Sequence, residues 1–249
     1  MRYAIFTDIH GCLVELQELM EVAGICDTDT LVFAGDLVDR GPHSAGVVKY
    51  VRSLTERQPT IYVRGNHDDK HCRYRRNLEQ NPSAARSMRE RKEELHTTTM
   101  SLSVEDKKFM DDSVLFYQIP EYDVLVVHAG IMPTLKSLPH NAKIRGDKYM
   151  SQMMYIRHVD ADGHMKRLGD ENPHDKFWAD IYDGRFGTVF FGHQPFWQAS
   201  EPVKFPHAIG LDLGCCFGNK LACAILSDEP VKFFTVDAKD AYAKVRHED

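Results

Sequence analysis

Leu31-Val32-Phe33-Ala34-Gly35-Asp36-Leu37-Val38-Asp39-Arg40-Gly41 begins as an apolar run and ends in charge. The run predicts a buried strand. The residues after it, bracketed by Gly35 and Gly41, predict a turn that carries Asp36, Asp39 and Arg40 out of the strand's end. Burying such charges costs several kcal/mol each unless they are paired or bound to metal. Packing therefore explains them poorly, and a site explains them well.

The same arrangement recurs along the chain. Residues 2–7 predict a strand that ends at Asp8-Ile9-His10-Gly11, and residues 60–63 one that ends at Arg64-Gly65-Asn66-His67-Asp68. Residues 124–127 run into His128-Ala129-Gly130, and residues 187–191 into Gly192-His193. Apolar residues at helical spacing predict helices over 13–23 and 44–54, which gives a β-α-β-α-β order. In open α/β sheets ligands bind at the carboxyl ends of the strands, so these deliveries describe one site.

Asp8, His10, Asp36, Asn66, His128 and His193 form a mixed oxygen and nitrogen donor set. It suits manganese, iron or zinc better than calcium or magnesium. Six ligands are too many for one catalytic ion that keeps an open position. They predict two divalent ions, with Asp36 as the bridge. Arg40 offers a guanidinium for phosphoryl oxygens. His67, oriented by Asp39, is placed to protonate a leaving oxygen. The expected reaction is attack by metal-activated water, with no covalent enzyme intermediate.

Composition bounds the rest. The 249 residues are 43% hydrophobic and 27% charged, an ordinary composition for a soluble globular protein. A net charge of −6 argues against a stable nucleic-acid complex, and no apolar run approaches the roughly 20 residues of a membrane helix. The opening Met-Arg-Tyr-Ala-Ile-Phe enters a strand directly, so a cytoplasmic protein without a signal peptide is expected. Six cysteines without C-x-x-C spacing read as reduced thiols in the core. One domain over 1–249 is expected, with a charged, helix-prone insertion at 70–112 whose Lys70, Arg73, Arg75, Arg76, Arg86, Arg89, Arg91 and Lys92 form a basic cap. Residues 149–155 predict a short helix. Residues 209–213, 222–226 and 232–236 predict a final antiparallel set. His71, His96, His140, His158, His164, His174 and His247 lie in polar segments and are expected at the surface.

The motifs D-x-H-G, G-D-x-x-D-R-G, G-N-H-[DE], H-[AG]-G and G-H occur in that order at Asp8, Gly35, Gly65, His128 and Gly192. On these residues the chain resembles the calcineurin-like metallophosphoesterases of the phosphoprotein phosphatase (PPP) superfamily. The resemblance implies a four-layer α/β/β/α sandwich and a dinuclear centre, usually of manganese, with iron, zinc or cobalt as alternatives. It assigns Asp8, His10 and Asp36 to one ion and Asp36, Asn66, His128 and His193 to the other. It makes His67 and Asp39 the acid dyad and Arg40 a phosphate ligand. The runs Ile156-Arg157-His158-Val159, Phe177-Trp178-Ala179 and 211–218 are similar to symmetrical bis(5'-nucleosyl)-tetraphosphatases, which split diadenosine tetraphosphate into two ADP. On that match Arg157 is a second phosphate-binding arginine. Phe177 or Trp178 is a candidate for stacking on a base, with at least one of the two expected to be an ordinary core aromatic. A nucleotide substrate is expected. A serine/threonine or tyrosine protein phosphatase, acting on a phosphorylated substrate, is the alternative.

Overall fold

The strands β1 (Tyr3–Phe6), β2 (Thr30–Ala34) and β3 (Thr60–Val63) form where aromatic and β-branched residues cluster, and α1 (Leu13–Val22) and α2 (Ser44–Leu54) cross between them. A computed structural model describes residues 1–138 and 152–245. The three strands pair in parallel, with Ile5 beside Val32 and Val32 beside Ile61. Four helices follow: α3 (Asn66–Gln80), α4 (Pro82–Arg91), α5 (Glu94–Ser101) and α6 (Val104–Asp111). The first three share a small core of Tyr74, Ala85 and Leu95, as expected of a segment poor in large apolar residues, while Met110 of α6 joins the core under the first sheet.

A second sheet is built from β4 (Phe116–Ile119), β5 (Val124–Val127), β8 (Thr188–Phe191), β9 (Val203–Lys204) and β10 (Ala208–Gly210). Between its segments lie the hairpin β6 (His158–Val159) and β7 (Lys176–Phe177) and the short helix α7 (Trp178–Ile181). The chain then returns to the first sheet through β11 (Lys220–Leu226) and β12 (Lys232–Asp237). The strand orders are β12-β11-β1-β2-β3 and β4-β5-β8-β10-β9.

Alternation along each strand sets the layers. Ile5, Val32, Ala34 and Val63 meet Val124, Val126 and Phe190 between the sheets. Their neighbours Phe6, Leu31 and Phe33 pack under α1 and α2. On the far side Leu125, Val127 and Phe191 pack under Trp178, Met153 and Met154. Both faces of each sheet are covered, so the strands read as continuous apolar runs. The result is the expected helix–sheet–sheet–helix order, with a thin fourth layer of α7 and the 3₁₀ turn Gln152–Met154.

Two expectations change. Residues 209–213 do not join the last two strands. Ala208–Gly210 pairs in parallel with β8 and antiparallel with β9, and the turn around Gly214 carries the chain across to the first sheet. Proximity in sequence suggested a meander, whereas Leu211 fills the gap between the sheets. Cys26 is exposed, while the other five cysteines are buried as free thiols. Of the two aromatics considered for base stacking, Trp178 is the core residue. Trp178 is fully buried, and it packs so closely on Gly130 that a Cβ there would lie 2.3 Å from its ring. Phe177 sits among Phe191, Phe196 and Phe205. His140, His247 and the start of the helix expected at 149–155 lie outside the described residues.

Replacing Trp178 with alanine should lower stability by about 3–5 kcal/mol in urea unfolding. Selectivity between a dinucleotide and inorganic tripolyphosphate should not change. A changed selectivity would return this ring to the substrate.

Candidate metal centre and active site

The backbone at the strand ends is held in an unusual conformation. Asp8, His10, Asp36, Asp39, Arg40 and His193 have positive φ, and among the described residues only Asp123 joins them outside glycine. L-residues adopt this region at a cost, and such strain gathers where side chains must be aimed. Backbone bonds tie the first two turns together: His10 N donates to Asp36 O at 2.8 Å and Gly41 N to His10 O at 2.8 Å.

Asp68 ties the third turn to them. Its carboxylate accepts from Asp36 N at 2.7 Å, Leu37 N at 3.0 Å and Gly65 N at 2.9 Å. Burial and the Asp36 charge push Asp68 up to about 6. Gly65 must be glycine, because a Cβ there would lie 2.0 Å from Asp36 Oδ1. Helix α3 therefore starts directly against Asp36, and His67 N donates to Asp36 Oδ1 at 2.9 Å.

All six residues singled out as metal donors converge here, each 8% exposed or less. His10 Nδ1 donates to Val38 O and His128 Nδ1 to Ala34 O, each at 2.9 Å. A carbonyl can only accept, so Nδ1 holds the proton in the neutral ring and Nε2 is a bare acceptor. Those Nε2 atoms face other acceptors. His10 Nε2 is 3.6 Å from Asp36 Oδ2 and 4.0 Å from Asp8 Oδ1. His128 Nε2 is 3.5 Å from Asp36 Oδ2 and 3.0 Å from Asn66 Oδ1. His193 Nδ1 is also 3.0 Å from Asn66 Oδ1. Lone pairs arranged around common points are stable when cations sit between them, and the outward Nδ1 bonds are the usual support of metal-bound histidine.

The charges agree. Burial, then the Arg40 charge, lowers His10 well below its ordinary value; burial, then Arg157, does the same to His193. Both are neutral, as ligation requires. Burial, with Asp212 and Asp36 beside it, raises Asp8 well above the carboxylate range. Burial raises Asp36, and only positive charge among the surrounding donors, His128 foremost, lowers it, so with those rings neutral its ionised form calls for a cation among them. Three buried carboxylates this close call for a counter-cation. The donors present fit a dinuclear centre.

His67 lies beside this cluster. Its Nδ1 is 2.6 Å from Asp39 Oδ2. Asp39 is fully buried and accepts from two further side chains, His71 Nε2 at 2.8 Å on Oδ1 and Lys92 Nζ at 2.5 Å on Oδ2. Burial would raise Asp39, but the bonds from His67 and His71 hold it well below the carboxylate range. His71 was expected at the surface and is completely buried. Its spacing of four residues from His67, on one helical face, was the signal for it. Lys92 had no such signal, since it arrives from the α4–α5 junction.

A cleft of about 1050 Å³ opens over the cluster. Arg40 reaches across its floor, with Nη1 3.4 Å from His10 Nε2 and Nη2 3.4 Å from His67 Nε2, and its guanidinium lies 5.0 Å from the Phe217 ring. Arg157 lines the cleft and donates to His193 O at 3.0 Å. The insertion contributes Lys70, Arg91 and Lys92, and a loop contributes Lys166 and Arg167. The expected basic cap is thus carried by Lys70, Arg91 and Lys92, and not by Arg73, Arg75 and Arg76. Arg73 is paired with Asp69 at 2.8 Å, Arg75 with Asp111 at 2.5 Å, and none of Arg73, Arg75 and Arg76 lines the cleft.

The family model for calcineurin-like phosphoesterases matches residues 1–234. The chain is 34% identical over 239 residues to the bis(5'-nucleosyl)-tetraphosphatase PrpE (asymmetrical) of Bacillus subtilis, with 89% of each chain covered. It is 29% identical over 238 residues to the PrpE of Oceanobacillus iheyensis, covering 89% of this chain and 87% of that one. A crystal structure provisionally described as a diadenosine tetraphosphatase superposes with a TM-score of 0.72 at 26% identity, over 95% of this chain and 93% of that one. A cold-active protein-tyrosine phosphatase of a psychrophilic Shewanella shares the fold, with a TM-score of 0.61 at 13% identity over 96% and 80% of the two chains.

Replacing Asp68 with alanine leaves three buried N–H groups without their acceptor. Stability should fall by at least about 2 kcal/mol in urea unfolding, and bound metal should drop below the wild-type content. Unchanged metal content would show that Asp68 does not hold the turns in place.

Proposed function

The chain belongs to the calcineurin-like phosphoesterase family, and on that footing we propose that this metal-dependent hydrolase cleaves phosphoanhydride bonds of dinucleoside polyphosphates. The observation that carries the substrate class is the cleft over the donor cluster, lined by Arg40, Lys70, Arg91, Arg157, Lys166 and Arg167 in a chain whose net charge is −6. A polyphosphate bridge needs cations spread along its length, whereas a phosphomonoester needs them only at one end.

Asp8, His10 and Asp36 are proposed to hold one ion, and Asp36, Asn66, His128 and His193 the other. Manganese is the proposed metal, with iron, zinc or cobalt as alternatives. When bound, the two ions supply Lewis acidity toward a phosphoryl oxygen and toward the attacking water. Arg40 and Arg157 bind the remaining phosphoryl oxygens and orient the group for in-line attack. His67 gives its Nε2 proton to the leaving phosphate oxygen, and Asp39, on Nδ1, stabilises the charged ring before transfer. His71 and Lys92 keep Asp39 fixed and anionic.

The bond that is cleaved is a separate matter. The resemblance of the C-terminal third favours two ADP from diadenosine tetraphosphate. The name of the 34% identical relative favours unequal halves. We take the second reading, because that likeness spans 89% of both chains.

Metal-stripped protein reloaded with Mn²⁺ and given diadenosine tetraphosphate should form ATP and AMP, resolved by ion exchange. ADP as sole product would restore the symmetrical reading. Phosphate release from a phosphopeptide, with the dinucleotide intact, would make the protein phosphatase alternative the correct one. In a second test His67→Asn should keep its metals and lose about 10²–10⁴ in rate on the dinucleotide. An aryl phosphate with an activated leaving group should lose much less. Equal losses would contradict the acid role of His67.

A further inference from the structure

Segment 238–245 lies beyond the residues matched by the family model, yet Tyr242, Lys244 and Val245 form part of the cleft wall. The segment is held there by directed bonds. Ala238 N donates to Asn219 O at 2.8 Å, and Ala243 N to Cys216 O at 2.9 Å. Lys239 N and Tyr242 Oη both donate to Glu15 Oε1, at 2.9 and 2.8 Å. Glu15 is 1% exposed on α1. A buried carboxylate is costly unless it is hydrogen-bonded, and this segment supplies those bonds. Gly218, at φ 92°, makes room for it, since a Cβ there would come within 3.0 Å of Ala241 Cβ.

The segment also connects to the chemistry. Cys216, which accepts from Ala243, precedes Phe217, whose ring lies 5.0 Å from the Arg40 guanidinium. The phosphate under attack must lie by His67 and Arg40, so the far half of a dinucleotide extends along the cleft. Segment 238–245 offers that half a cation, Lys244, two residues from an aromatic ring whose hydroxyl is already pinned. A ring fixed before binding loses little entropy on contact with a base.

We propose that segment 238–245 is the subsite for the distal nucleotide, with Lys244 meeting its phosphates and the Tyr242 ring its nucleoside. This rests on the dinucleotide reading above. The test compares kcat/KM for diadenosine tetraphosphate and p-nitrophenyl phosphate in the Mn²⁺-loaded full chain. Wild-type protein that leaves the dinucleotide intact would remove the reading, and the subsite with it. If wild-type protein cleaves it, Y242A combined with K244A should reduce the dinucleotide-to-aryl-phosphate ratio about tenfold, through a higher KM for the dinucleotide. Y242F keeps the ring and should retain most of the wild-type ratio. An unchanged ratio in the double variant, equal losses on both substrates, or a Y242F as poor as the double variant would each overturn the subsite while leaving the dinucleotide reading intact.

Discussion

One buried carboxylate, Asp36, constrains the rest of the structure. It stands at the end of a central strand, 2% exposed, between the imidazoles of His10 and His128. Such a group is tolerable only with its charge matched and its position fixed. Its surroundings do both. Asp68 holds its backbone, Gly65 gives way so that α3 can begin against it, and the Nδ1 bonds of His10 and His128 aim their free nitrogens at it. The strained backbone at Asp8, His10, Asp39, Arg40 and His193 follows from the same demand, because several strand ends must converge on one small volume.

Charge is arranged at two scales. The chain as a whole is acidic, whereas Arg40, Arg157, Lys70, Arg91 and Lys166 surround the cleft. A cleft of one sign within low-dielectric walls concentrates its field, so a polyanion is drawn to the opening rather than to the surface at large. The insertion does more than add charge. Lys92 reaches past the cleft wall to Asp39, so the position of α4 and α5 is coupled to the dyad they cover.

The first half of the fold was legible because each strand there is apolar, and each ends in glycine beside polar residues. Those endings also exposed the candidate site: side chains read as donors from sequence lie within hydrogen-bonding distance of one another. Legibility failed where contact order outweighed local pattern. Strands of two or three residues, such as Val203–Lys204 and Ala208–Gly210, carry too little periodicity to reveal their sheet. His71 was missed because its neighbours along the chain are polar, while its helical neighbour His67 is buried. The aromatic pair Phe177 and Trp178 looked like a binding feature because both residues are large, and only the packing on Gly130 shows that Trp178 fills the outer core. Ion pairing, which no linear pattern displays, removed Arg73 and Arg75 from the cap.

Asp36 is proposed to join two ions, and anomalous scattering from crystals grown with Mn²⁺ tests that most directly. Two peaks are expected about 3.5–4 Å apart, both within bonding distance of Asp36, one beside Asp8 and His10 and the other beside Asn66, His128 and His193. A single peak there, or manganese bound only at the exposed group of Asp160, Asp162 and His164, would contradict it.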